Sequence, residues 1–492
     1  MTGILFMGWR GALQAGRNEE ECGLAAEFFR PWLMDAVNAV QQNSQGKKFP
    51  VDQLLPPLLH RLMGIAAAAS LTGSDYTDGP IRVDLASVFS TTKYAAYAEM
   101  SVQQWSASVG LFLTRMLADA ERIADWLGLS EMPSIASLVE ADSDLHDAGG
   151  SVIRISFANG SNIFYKPRPV TGEFFWRELT RATEGVDAAC KVASSRVLCS
   201  DGYGWMEEIP KLESPQNADR ESYWRSAGSL LCHAWIAHMT DLHMGNIVAT
   251  QTGPAVVDAE CLATPGIERD GGFDAASFAM ELSQTGLLSS HGFDDAMPDV
   301  SGFFGRTASV ASIRLPIWHA LQDGMVGLSF KSAWLKDTGN SFDDAPPIAC
   351  VPALAQGFLD AAIAIQEIRP SLLQSGGWLE RLQAAHAPRI ILRSTLSYGL
   401  RMSNALLSEQ SIDTPAEDAL IYEAEQRAIE SLCVPRFVMP PGTRDLAVHT
   451  EGRCMQGMFH RAGADCIRRR LEQLSLVELR SMLRPALLAQ ML

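Results

Sequence analysis

Asn159 and Gly160 separate two seven-residue runs, SVIRISF (151–157) and NIFYKPR (162–168). Both runs are rich in β-branched and aromatic residues. Asn-Gly between such runs predicts a hairpin closed by a type I′ turn, whose two central residues both need positive φ. Pro167 and Pro169 end the second strand, because proline has no N–H to give to a ladder. An antiparallel sheet therefore starts near residue 150, and the rest of the chain must supply its other strands and a layer to cover it.

Upstream, the first 130 residues read mostly as helix. From Trp105 the apolar positions Val109, Phe112, Met116, Ile123 and Leu127 recur at helical spacing, and Gly128 follows as a C-cap. Downstream, the pattern predicts a helix over 172–184, a β-like piece over 191–198 and another over 203–209, after the Asp201-Gly202 turn. A buried helix is expected over 226–238, then a hairpin over 246–258 with a QTGP turn. Stretches rich in Gly, Ser and Asp at 266–273, 289–302 and 336–347 read as loops, and beyond Pro352 the chain reads as largely helical. Ser475 and Glu478 form a capping-box pattern that opens the last helix. The expected fold class is α+β, organised as a helical region 1–130, a segment 131–265 that carries the sheet and the loops after it, and a helical region 266–492.

Composition narrows the function classes. Apolar residues make up 47% of the 492, enough to bury a core and exclude a wholly disordered chain. Forty Lys and Arg against 57 Asp and Glu give a net charge of −17, which argues against nucleic acid as a partner. The segment after Pro435 departs from this balance, with nine Arg and no Lys against five acids, and reads as a solvated helical face. Nine scattered cysteines without a CxxC pair fit reduced thiols and a cytoplasmic setting. No apolar run approaching the roughly 18–20 residues of a membrane span is read. MTGILFMGWRGALQ at the start lacks the pattern of a signal peptide.

Asp241-Leu-His243-Met-Gly-Asn246 carries the most chemistry, with Asp258-Ala-Glu260 one hairpin later. Phosphoryl transfer needs a carboxylate at the attacking hydroxyl, hard oxygen ligands for Mg²⁺ and a cation for the phosphates. An Asp and an Asn five residues apart, a short hairpin and then another Asp have that layout. Lys166, at the end of the 162–166 strand, is the upstream cation. Read by itself it is a strand-end lysine laid along apolar surface. Gly149-Gly150 falls where a nucleotide-covering loop would lie, and alone reads as a turn.

Together these strings resemble the dehydratase domain of class II lanthipeptide synthetases. The shared elements are Asp144-Leu-His146, Tyr165-Lys166-Pro167-Arg168, Tyr203-Gly204-Trp205-Met206-Glu207, Thr240-Asp241-Leu242-His243 through Asn246, Asp258-Ala-Glu260, and Arg389-Ile-Ile-Leu-Arg393-Ser-Thr395, in the family's order over roughly 140–450. A later segment from Val434 to Leu446 is also similar. The resemblance implies a lipid-kinase-like bilobal core with helical additions at both ends. It further implies an enzyme that uses ATP and Mg²⁺ to phosphorylate Ser and Thr of a leader-bearing precursor peptide and then eliminates phosphate.

Under that resemblance Asp241 and His243 serve transfer, Lys166, Arg168 and Glu207 serve the nucleotide, and Asn246, Asp258 and Glu260 serve the metal. Arg389 and Thr395 serve elimination, with Asp144 and His146 nearby, and Arg393 adds a phosphate contact. Outside the resemblance, Arg389 to Thr395 reads as a helix face with ordinary ion pairs. Full-length members continue into a zinc-bearing cyclase domain. Here 97 residues follow Thr395 and show no such cysteine and histidine pattern, so any cyclisation is expected from a separate cyclase. Two departures stand out. Leu432-Cys433 precedes Val434-Pro435 where the family usually has Gly-Asp before Ile-Pro, and Arg436 replaces an aromatic residue. The competing readings are a kinase without elimination, acting on a peptide or a small hydroxylated molecule, and a non-catalytic peptide-binding protein.

Overall fold

In the computed structural model of the protein, residues 3–4, 13–15, 23–42, 49–71, 80–141, 145–146, 149–213, 219–266, 274–289, 299–306, 308–321, 325–335, 339–340, 342, 347–407, 419–449 and 451–491 are described. The hairpin is present, as strands Ile153–Phe157 and Asn162–Lys166. Its turn differs from expectation. Gly160 alone takes positive φ, at 86°, and its N–H donates to Phe157 O at 3.0 Å. Asn159 instead accepts the Ser161 N–H on its side-chain oxygen at 3.1 Å. The result is a three-residue loop ending in a left-handed glycine, the next commonest hairpin closure after the two-residue turns.

The hairpin lies inside a five-stranded antiparallel sheet ordered Ile135–Glu140, Ile153–Phe157, Asn162–Lys166, Tyr203–Glu207, Val197–Ser200. Helices Gly23–Gln42, Leu55–Ser70, Thr92–Ala118 and Ala120–Leu127 cover it, and Trp105, Phe112 and Met116 share one core with Ile155, Ile163, Tyr165 and Trp205. The helix expected to run on from Trp105 to Gly128 is broken at Asp119. The break turns the Asp119 carboxylate onto the sheet, where Trp205 Nε1 and Tyr203 Oη each donate to it at 2.8 Å. Gly128, at φ 74°, caps the second piece as expected.

A second core surrounds helices Thr171–Glu184, Arg220–Ile236 and Val351–Leu373. The stretch Ile348–Leu373 is long and apolar enough to cross a membrane by length and composition, which the sequence reading did not anticipate. Its residues Leu354, Phe358, Ala361 and Ile365 are buried in one cluster with Leu230, Leu231 and Ala234.

Two sheets were not foreseen. Strands Ser309–Ala320 and Val326–Leu335 pair with each other and recruit Gly3–Ile4, Leu13–Ala15 and Ile81–Val83. The region expected to be helical from the start of the chain thus contributes strands to a sheet built on residues 309–335. A small four-stranded sheet, Arg389–Ile390, Phe437–Val438, Leu446–Val448 and Cys454–Met455, interrupts the helices after Pro352. The eight cysteines among the described residues are free thiols.

Candidate active site

Helix Arg220–Ile236 delivers the chain into a loop, 237–246, that is strapped to its surroundings by backbone bonds. Thr240 N–H donates to Cys261 O, Leu242 N–H to Thr285 O and Ala263 N–H to Ala237 O. Asp241 sits in the left-handed region at φ 64°, a conformation Asp tolerates better than most residues. The expected hairpin follows as Ile247–Thr250 and Gly253–Val256, all buried. Its ladder continues through Val257 N–H to Asn246 O at 3.0 Å, which sets Asn246 beside the Val257-Asp258 segment. Asn246 Nδ2 donates to Asp241 O at 2.8 Å, so its Oδ1 remains as an acceptor. Gly245 N–H donates to His243 Nδ1 at 3.0 Å, and His243 Nε2 lies 3.3 Å from the Asn246 amide nitrogen.

Lys166 reaches the same segment from the sheet. Its Nζ donates to Val257 O at 2.7 Å and to Glu173 Oε1 at 2.9 Å, and lies 3.5 Å from Asp258 Oδ2. Glu173 is in the first turn of helix Thr171–Glu184. That turn comes so close that a Cβ on Gly172 would fall 2.1 Å from Ala259 O, so only glycine fits. Arg168 ties the two halves together. Its Nη2 donates to Glu173 Oε1 at 2.7 Å and to Asp258 Oδ1 at 2.6 Å, and its Nε lies 3.2 Å from Glu260 Oε2.

Glu260 gathers the arginines. Arg389 Nη1 donates to its Oε1 at 2.5 Å, and Arg436 Nη2 lies 3.5 Å from its Oε2. Burial alone would raise the Glu260 pKa; Arg389, Arg168, Arg436 and His146 outweigh burial and hold it well below the ordinary range. Glu173 is likewise lowered against burial by Arg168 and Lys166. Asp241 goes the other way: burial pushes it up, and His243 and Arg389 offset only part of that. Among the described residues the Asp241 carboxylate has no hydrogen-bond donor, which leaves it available to a hydroxyl. Asp258, with a side chain 24% exposed, is the most open carboxylate of the ion-pair cluster, and solvent reaches the cluster there.

The proposed residues are not all brought together. Glu207 pairs with Arg196, Nε to Oε2 at 2.8 Å. The sheet register sets Gly204 opposite Lys166, so Glu207, three residues on, lies on the other face. Arg393 donates to buried Glu425 at 2.7 Å, with Tyr398 and Arg401 as further donors to that carboxylate. Arg389 is on a short strand rather than a helix face. Thr395 opens helix Thr395–Leu407, whose Leu396 and Leu400 pack against the small cluster that contains Met244 of the loop; no hydrogen bond joins Thr395 to Arg389. His146 Nδ1 donates to Val434 O at 3.0 Å, since a carbonyl only accepts. Asp144 lies outside the described residues.

Sequence reasoning missed Glu173 and His386. Glu173 follows the YKPRPV string within one helical turn, which is a usable signal. His386 has none: its Nε2 donates to Leu262 O at 2.9 Å and its Nδ1 takes the Thr171 hydroxyl at 2.9 Å, contacts that only the fold creates.

For Mg²⁺, among the described residues no set of three His, Cys, Asp or Glu side chains forms a self-sufficient site. Asn246 Oδ1 and the Asp258 carboxylate suit an ion that shares its coordination with phosphate oxygens and water.

A family model described as a domain of unknown function, DUF4135, matches residues 95–439. The lacticin 481/lactococcin biosynthesis protein LcnDR2 of Lactococcus lactis subsp. lactis is 27% identical over 296 residues, which cover 56% of this chain and 32% of that protein. The match thus spans about a third of the relative's length.

Proposed function

The chain belongs to the DUF4135 family, and from that premise we propose that it is an ATP-dependent Ser/Thr dehydratase of a ribosomally made precursor peptide, built on a kinase-like bilobal core. Its likeness to a lacticin 481/lactococcin biosynthesis protein supports a role in lanthipeptide modification. One observation carries the reading: Lys166, Arg168, Asp258, Glu260 and Arg389 form a single chain of buried ion pairs beside Asp241 and Asn246.

In the transfer half, Asp241 accepts the proton of the substrate hydroxyl or orients it, and its raised pKa suits a base. Lys166, held by Glu173, meets the phosphates of ATP. Asn246 and Asp258 would hold Mg²⁺, which supplies positive charge against those phosphates. In the elimination half the Cα proton passes to a base, the Cα–Cβ double bond forms, and the Cβ–O electron pair leaves on phosphate. Arg389 stabilises that departing charge. His146, anchored on the Val434 carbonyl and acting on the same Glu260 as Arg389, belongs to this half as the resemblance implies.

The test is mass spectrometry of a Ser/Thr-bearing peptide encoded beside this protein, after incubation with ATP and Mg²⁺. Transfer adds about 80 Da and elimination removes about 98 Da, a net loss of about 18 Da. Asp258→Asn should leave the peptide unmodified, and Arg389→Gln should accumulate phosphopeptide. Dehydration at the normal rate by Arg389→Gln would overturn the elimination assignment. That no hydrogen bond joins Thr395 to Arg389 favours a second reading, kinase without elimination; stable phosphopeptide from the unaltered protein would select it.

A further inference from the structure

Arg436 stands where the resemblance leads one to expect an aromatic residue, so the resemblance assigns it no role. The strand pair that holds Arg389 explains where it goes. Arg389 lies opposite Val438 and Ile390 opposite Phe437. Side chains alternate along a strand, so Arg436, two residues before Val438, leaves on the same face as Arg389 and diagonal to it. Both guanidinium groups then meet Glu260, Arg389 at 2.5 Å and Arg436 at 3.5 Å, and Arg436 is only 7% exposed.

Arg168 also reaches Glu260 but lies closer to Glu173 and Asp258, so Glu260 is chiefly the partner of Arg389 and Arg436. Glu260 presents only two oxygens to these two planar forks, Oε1 to Arg389 and Oε2 to Arg436. Moreover, Arg389 Nε is buried and donates to nothing among the described residues. A phosphoryl group carries more charge than a carboxylate and three terminal oxygens, and planar guanidinium forks match it.

We propose that Arg436 and Arg389 form a paired fork for the phosphoryl group of a phosphorylated Ser or Thr, and that Glu260 fills this fork until the phosphate arrives. The identity of the anion rests on the dehydratase reading above. Phosphate and Glu260 compete for the same donors, which gives the fork a signature that a purely structural arginine lacks.

The experiment is calorimetric titration of inorganic phosphate into the full chain, without ATP or peptide. Arg436→Gln and Arg389→Gln should each weaken binding about tenfold or more, as expected for losing a charge-assisted bidentate contact. Glu260→Gln should tighten it, because the competing carboxylate is gone. Arg453→Gln, an exposed arginine paired with Glu423, should leave it unchanged. Should Arg436→Gln not fold, Arg436→Lys carries the test, since it keeps the charge and loses the fork. No phosphate binding by the unaltered protein, or unchanged affinity in the folded Arg436 variant, overturns the proposal. Absence of dehydration with ATP and peptide, alongside weakened phosphate binding in Arg436→Gln, would retire the dehydratase reading and leave the fork standing.

Discussion

Lys166 donates to Glu173 across 2.9 Å, with both side chains 5% exposed, from the end of a strand to the first turn of the helix that follows it. Breaking a buried pair leaves an uncompensated charge, which costs about 3–5 kcal/mol. Glu173→Ala should therefore lose about that much stability in urea titration, and it strands Arg168 as well as Lys166. It should also abolish the thermal stabilisation conferred by ATP with Mg²⁺. An unchanged urea midpoint would show that Asp258 alone compensates both cations.

His386 bridges the helix carrying Glu173 to the segment carrying Glu260. Burial pushes its pKa down to about 4, although the Leu262 carbonyl and Glu173 pull it up. The unfolded value is about 6.5. The fold therefore favours neutral His386, and this contribution is complete above about pH 6.5 and is lost as pH falls toward 4, about 3 kcal/mol in all. His233, also pushed to about 4 by burial, adds a second such term. Unfolding free energies measured from pH 7 to 4 should fall less steeply in His386→Gln than in the unaltered protein. Equal slopes would mean that His386 titrates normally.

The contrast between Lys166 and Glu207 shows what was legible in the sequence. Asp241, Asn246 and Asp258 belong to one loop and hairpin, so sequence spacing nearly determined their proximity, and Lys166 lies at the end of a strand whose hairpin was readable. Glu207 depended on strand register, which no single strand reveals. The sheet around 309–335 was hidden for a similar reason. Pro316 interrupts its first strand, arguing against a strand, and its partners at 3–4, 13–15 and 81–83 are more than 220 residues away in sequence. Arg436 was visible as a departure, but its contact with Glu260 follows only from the pairing of Phe437 with Ile390.

Leu432 ends helix Ala419–Glu430 in the left-handed region, at φ 54°, where the resembling family usually has glycine. Cys433 N–H donates back to Ala428 O at 2.8 Å, which closes the helix end. The strained backbone costs a non-glycine residue about 1–2 kcal/mol. The side chain is 2% exposed in the core of the helical layer, and removing a buried leucine costs about 3–5 kcal/mol. Burial wins, so Leu432→Gly should be destabilised by about 2 kcal/mol rather than stabilised. Leu432→Ala loses most of the same side chain and keeps the strain, so it should melt below Leu432→Gly, the reverse of the usual order. Calorimetric melting of the two variants decides this, and a higher midpoint for alanine would refute it.

Asp119 fastens the helical layer to the sheet that carries Lys166. Burial raises its pKa, but hydrogen bonds from Trp205, Tyr203 and Arg122 outweigh burial and hold it below the ordinary value. The unfolded value is about 3.9. A lowered folded pKa means that the contribution is present above about pH 3.9 and disappears as pH falls through the folded value. Asp119→Asn keeps the shape and removes the charge that makes these bonds strong. At pH 7 it should cost about 1.5–3 kcal/mol, the usual worth of hydrogen bonds to a charged group. The gap between variant and unaltered protein should narrow in acid. Urea titrations at pH 7, 5 and 3.5 measure that gap, and one that stays constant across the series would mean the carboxylate is not charged in the fold. Because Tyr203 and Trp205 lie on the strand paired with Lys166, the same substitution should also weaken ATP-dependent stabilisation, measured as a smaller shift in melting temperature with saturating nucleotide.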